Sequence, residues 1–161
     1  MDGLYAHAVN QARQPAFYRD LGVADRIDAR FELYTLHVLL LCMRLKDEGA
    51  QGAEDAQALF NTYVSALDHT LRELGVGDIS VGKKMRKLGE SLFGRMSRYE
   101  PLLADADAEG LAGALARNVY ESQDASTAQA LSGYAVACRK SLAEQPWQSI
   151  VSGPAWPEVK P

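Results

Sequence analysis

"GDISVGKK", residues 77 to 84, decides between two fold classes. Gly77, four residues, then Gly82 and Lys83 nearly complete the phosphate-loop pattern G-x-x-x-x-G-K-[ST], but Lys84 stands where the magnesium-holding hydroxyl belongs. A phosphate loop also needs a strand that delivers the chain into a turn at a helix N-terminus. The residues leading into Gly77, "LDHTLRELGV", are the end of a helix. The stretch therefore reads as a joint between two helices. Gly75 and Gly77 supply freedom for positive φ at the end of the first, and Asp78 or Ser80 can cap the second. Nucleotide binding is set aside, and with it the parallel sheet it would require.

Outward from this joint the apolar spacing stays helical, and no segment alternates like a half-buried strand. Downstream, a helix from about 80 to 99 carries Val81, Met85, Leu88, Leu92, Met96 and Tyr99 as one narrow stripe, and Pro101 is expected to stop it. Upstream, a helix over 54–74 repeats Leu59, Phe60, Tyr63, Leu67, Leu71 and Leu74. Before it, Asp28 is placed to cap a helix running to about Lys46, with Glu32 favoured near its start by the helix dipole. That helix is apolar on every face, "LYTLHVLLLCM", which puts it at the centre of the domain. A helix over 2–13 broken by Pro15, a short "AFYRDLGV" element, and helices near 107–121 and 125–143 complete the body. The reading is an all-α, single compact domain of about six helices over 1–144. The Pro- and Trp-rich tail, 145–161, is expected to be an extended strap on the body or disordered.

The 161 residues suffice for one full core, and a net charge of −4 gives the whole chain no reason to gather on nucleic acid. The longest apolar run, residues 38–43, is too short to span a bilayer, and no secretory h-region opens the chain. A cytoplasmic protein is expected. Cys42 and Cys138 each lie in apolar surroundings and read as buried thiols of a reducing compartment. His7, His37 and His69 have no metal-ligand spacing, and His37 reads as a hydrogen-bonded core histidine. Asp68 and His69 are adjacent and point to different sides of a helix. No nucleophile signature appears, so no catalytic residue, cofactor or metal is expected and the chain does not read as an enzyme.

The helix after the joint is the unusual element. Lys83, Lys84, Arg86, Lys87, Arg95 and Arg98 are opposed only by Glu90, so the helix carries +5 and the rest of the chain −9. Lys83/Lys87, Lys83/Arg86 and Lys84/Lys87 repel at i,i+4 or i,i+3 spacing, each by roughly 0.2–0.5 kcal/mol. Lys83 and Lys84, in the first turn of a helix starting at Ser80, would also oppose the dipole. Either the cations pair with the chain's own acids, such as Asp105, Asp107 and Glu109, or they meet a foreign surface. Gly82 and Gly89 lie together beside the stripe, where another backbone could come close, and Phe93 beside them offers an apolar edge.

Three stretches together resemble the ubiquinol–cytochrome c chaperone family: "RFELYTLHVLLLCMRL" (30–45), "LDHTLRELGVGDISVGKKMRKLGESLFGRMSRYE" (67–100) and "LARNVY" (115–120). The middle stretch is the specific one, and the resemblance spans about 18–143. Gly82 stands where such proteins often have proline, and Ala29 where glycine is usual. The resemblance implies an all-helical, non-enzymatic chaperone that assists newly synthesised cytochrome b, or other bc1 subunits, during assembly of the respiratory bc1 complex. It also implies a small helical partner and work near the ribosome in mitochondrial members; the basic helix itself is expected to meet an acidic partner, ribosomal RNA or an anionic membrane surface. The alanine-rich composition and the lack of a presequence fit a bacterial member. The residues expected to touch a partner are Lys83, Lys84, Arg86, Lys87, Phe93, Arg95 and Arg98. The alternatives are a ribosome- or RNA-associated module using the same helix, without reading a specific nucleic-acid sequence, and a homo-oligomeric helical scaffold. Aromatics interleaved with the cations for base stacking are absent.

Overall fold

Helix α3, Ile27–Lys46, is threaded through the middle of the molecule, and every residue from Glu32 to Leu45 on it is buried. The computed structural model describes residues 2–73, 75 and 77–161, without the side chains of 2, 78, 79 and 81. The expectations placed on Leu74 and on the side chains of Asp78 and Val81 lie outside the described residues. Around α3 pack α1 (Asp2–Ala12), α4 (Ala50–Glu73), α5 (Asp78–Ala104), α6 (Ala108–Val119) and α7 (Gln129–Glu144). Short pieces, α2 (Pro15–Arg19), a 3₁₀ turn at Ala125–Ala128 and α8 (Trp147–Ser152), join or follow them. Among the described residues there is no strand. The all-α architecture follows from α3: Leu36, Leu39, Leu40 and Leu41 are at most 1% exposed, and each such side chain contributes about 1.5–3 kcal/mol on burial.

The polar groups on this central helix are satisfied within the core. His37 is fully buried, with Nδ1 2.7 Å from the Leu33 carbonyl and Nε2 2.8 Å from the Tyr134 hydroxyl. Because a carbonyl only accepts, Nδ1 carries the proton and Nε2 accepts from Tyr134. Burial pushes the imidazole down to about 4, so the ring stays neutral. Arg44, also buried, donates to the Leu142 and Gln145 carbonyls at the end of α7, 2.9 and 3.2 Å away, where a cation complements the helix terminus. Cys42 and Cys138 are buried free thiols.

Several boundaries differ from the sequence reading. Arg26, extended at φ −129°, is the N-cap of α3, and Asp28 falls inside the first turn. Helix α4 begins at Ala50, earlier than expected, because Gly52 lets its first turn lie against the end of α3. A Cβ there would sit 1.8 Å from the Leu45 carbonyl oxygen. Gly75 has the expected positive φ, 81°, but Gly77 lies at φ −66° and serves as the N-cap of α5 without any side-chain cap. With α5 starting at Asp78, Lys83 and Lys84 stand beyond its first turn, where the dipole penalty fades. Pro101 does not end α5; the helix runs on to Ala104. The proline sacrifices one backbone hydrogen bond near the helix end, and Leu103 beyond it, 2% exposed, fills the core.

The tail is a strap on the body with α8 set into it. Ile150 is fully buried, and the Trp156 ring meets His37 edge-on at 5.3 Å. Gln145 clamps Ala155 from both sides, donating to its carbonyl at 2.8 Å and accepting from its N–H at 2.9 Å.

Candidate functional site

Among its described side chains, α5 is anchored in the core by its C-terminal half. Leu92, Met96, Tyr99 and Leu103 are buried there, while Met85 and Leu88 are half-covered nearer the N-terminus. Lys83, Lys84, Arg86 and Lys87 are exposed on that less-covered part. Among the described residues none of these four, nor Arg98, forms an ion pair. Asp105, Asp107 and Glu109 do not neutralise them; Asp107 instead caps α6 by accepting from the Gly110 N–H at 2.9 Å. Among the described residues the repulsions between neighbouring cations on this stretch are offset by no ion pair, with Glu90 the one described acid on the helix face beside them.

Arg95 is different. Its Nε lies 2.5 Å from Oε1 of Glu32, which is only 9% exposed on α3. The sequence placed Glu32 near the dipole; the fold makes it the inner partner of α5. Burial pushes its carboxyl up from 4.5 to about 7, against the Arg95 charge, which lowers it. Arg95 Nη1 also donates to the Ser91 carbonyl at 3.3 Å. The six cations among the seven expected partner contacts thus divide into four on the open stretch and two, Arg95 and Arg98, on the side that faces Asn118 of α6.

Phe93 is 67% exposed. It stands at the rim of a groove of about 330 Å³ between α3, α4 and α5, together with Leu39, Cys42, Ala56, Phe60 and Met96. Lys46 and Glu100, 3.0 Å apart, form a polar boundary to it. At 100° per residue Gly82, Arg86, Gly89 and Phe93 share one face of α5. That face is continuous with the groove, and a Cβ at Gly82 or Gly89 would meet nothing within 4 Å. The sequence reading expected an apolar groove beside the basic helix with Phe93 at its edge, but did not name the α3 and α4 residues that line it. The signal for the groove was Phe60 and Phe93, each one step outside the buried stripe of its own helix.

Among the described residues no three His, Cys, Asp or Glu side chains are grouped to hold a metal, and His69 and Asp68 pair separately with Glu73 and Arg72. No described helix is long and apolar enough to cross a membrane. An apolar groove rimmed by exposed Phe93, on a helix whose exposed cations have no ion-pair partner among the described residues, suits non-covalent binding of another chain or surface.

Comparison with known proteins gives the family. The profile of the ubiquinol-cytochrome C chaperone family matches residues 19–157, and the chain belongs to this family. The match reaches past residue 143 and takes in most of the tail. The chain is 22% identical over 120 residues to ubiquinol-cytochrome-c reductase complex assembly factor 1 of Xenopus laevis, covering 74% of this chain and 60% of that protein. It thus spans about 60% of the length of that relative. The crystal structure of the Cbp3 homolog from Brucella abortus superposes with a TM-score of 0.84 and 32% identity, over 98% of this chain and 91% of that one.

Proposed function

We propose that this chain is a non-enzymatic assembly chaperone that holds newly made cytochrome b, or another apolar segment of a bc1 subunit, during biogenesis of the respiratory bc1 complex. The observation that carries the reading is Phe93, an aromatic 67% exposed at the mouth of an apolar groove, on a helix whose exposed cations have no ion-pair partner among the described residues. An apolar client segment would be shielded against Phe60, Phe93 and Met96. Lys83, Lys84, Arg86 and Lys87 would meet acidic residues or anionic headgroups flanking it, in a bacterial cytoplasm or at the inner face of the membrane. Family membership supports chaperone work, and the frog relative's name supports ubiquinol-cytochrome-c reductase as its object. The test is site-specific photocrosslinking in the native cell from positions 86 and 93. Capture of cytochrome b or another bc1 subunit is expected from both. Capture only of ribosomal components, or only of a second copy of this chain, would replace the reading with an RNA-associated module or a scaffold.

A further inference from the structure

The side of α5 turned away from the groove carries a second arrangement. Ser91, Gly94, Arg95 and Arg98 follow the helix at three- and four-residue steps and, with Asn118 of α6, line an open cavity of about 250 Å³. Two guanidinium groups at i,i+3 repel when nothing lies between them. Arg98 has no carboxylate partner among the described residues, while Arg95 is held from behind by Glu32. That backing is itself costly. Glu32 Oε2 and Arg95 Nε are buried without a hydrogen bond among the described residues, and a buried ion pair repays its desolvation only when its remaining hydrogen-bonding groups are satisfied. Asn118 gives one N–H to the Tyr99 hydroxyl at 2.8 Å and keeps a second donor. The Arg95/Arg98 repulsion, uncompensated on the Arg98 side among the described residues, marks a spot that an anion would complete, while Glu32 only backs Arg95 from within.

We propose that this α5–α6 cavity binds a phosphate-class oxyanion, gripped by Arg95 and Arg98 with the free N–H of Asn118. The planar guanidinium fork suits two oxygens of a phosphate, where a lysine would offer only a point charge. The inference rests on the reading of α5 as a helix whose cations serve an outside partner, and it names the ligand of two of them. A phosphate group reaches the cavity either as a free anion or as an anionic lipid headgroup.

The full chain is titrated with inorganic phosphate while the arginine Nε–Hε resonances are followed by NMR, and separately floated with vesicles of phosphatidic acid or phosphatidylcholine. Saturable shifts of Arg95 and Arg98 with phosphate alone support a free anion. Flotation with phosphatidic acid only, lost in R98Q, supports a headgroup. Arg98 is exposed, so R98Q keeps the fold, and R95K keeps a charge opposite Glu32 while removing the fork. Each should weaken binding at least tenfold, while R19Q, an equal charge loss elsewhere, should not. The absence of saturable binding to either ligand, or equal weakening by R19Q and R98Q, overturns the site. Loss in K83Q/K84Q with none in R98Q also overturns it, yet leaves the docking role of α5 standing.

Discussion

Glu32 of α3 and Arg95 of α5 meet at 2.5 Å beneath the basic helix, and the contact is an ion pair without an aligned hydrogen bond. It ties the cationic element to the central helix. Removing one member leaves the other charge unpaired in the interior, so R95A should destabilise the protein by about 3 kcal/mol, the lower end for a buried pair because Arg95 keeps some exposure. Replacing both with apolar residues of similar size, E32L/R95M, should recover most of that loss. Urea unfolding of the three proteins checks this. A double variant no more stable than R95A would mean the pair contributes through more than compensation of charge.

Two buried groups give opposite pH dependences. The Glu32 carboxyl is held up at about 7 by burial, above its ordinary 4.5, so the folded chain keeps a proton the unfolded chain releases. Stability from this group is present below pH 4.5 and is lost as pH rises to about 7. His37 is held down at about 4 by burial, below 6.5, so the unfolded chain takes up a proton the folded chain refuses. Its contribution is present above pH 6.5 and is lost as pH falls towards 4. Each spans on the order of 3 kcal/mol, and between pH 4.5 and 6.5 they cancel. E32Q should remove one slope and expose the other, making the variant gain stability relative to wild type as pH rises from 4.5 to 7. Parallel urea titrations of the two proteins at stepped pH would read this. Superimposable curves would show that Glu32 ionises normally.

How much of this was legible beforehand follows from where each signal resides. The run from Leu33 to Leu45 is apolar on all sides, and only a central helix satisfies it, so the architecture could be read directly. Pro101 was misread because the stop rule is local, whereas the burial of Leu103 that carries α5 past it is tertiary. Glu32 near a helix start looked like an ordinary dipole partner, since nothing in its neighbourhood encodes Arg95. The surplus charge on α5 was plain from composition. The lining of the groove beside it was not, because Phe60 and Phe93 come to one groove only when α4 and α5 are placed side by side.

Lys83 and Lys84 burden the helix that bears them. K83E/K84E would turn the pairs with Arg86 and Lys87 from repulsive to attractive, each worth a few tenths of a kcal/mol in either state. The variant should therefore be more stable by about 1 kcal/mol in thermal or urea unfolding. Binding should move the other way: each cation near an anionic membrane is worth about 1 kcal/mol, so association with anionic vesicles or co-purification of a client should fall more than tenfold. A variant both more stable and fully competent would show the cations to be a solvated face with no partner.

Leu92 and Phe93 are sequence neighbours with opposite surroundings, 2% and 67% exposed, and they separate scaffold from site. L92A opens a cavity in the core and should cost about 2–5 kcal/mol. F93A removes a larger side chain yet should stay within about 0.5 kcal/mol of wild type, as surface substitutions do. If the groove receives a client, F93A should still lower client co-purification severalfold, and L92A should lower it only as far as its loss of folded protein explains. Denaturation midpoints and client recovery, measured on the same preparations, distinguish these cases. An F93A protein that destabilises like L92A would mean Phe93 covers the chain's own core, and the rim of the groove would then lose its claim to a partner.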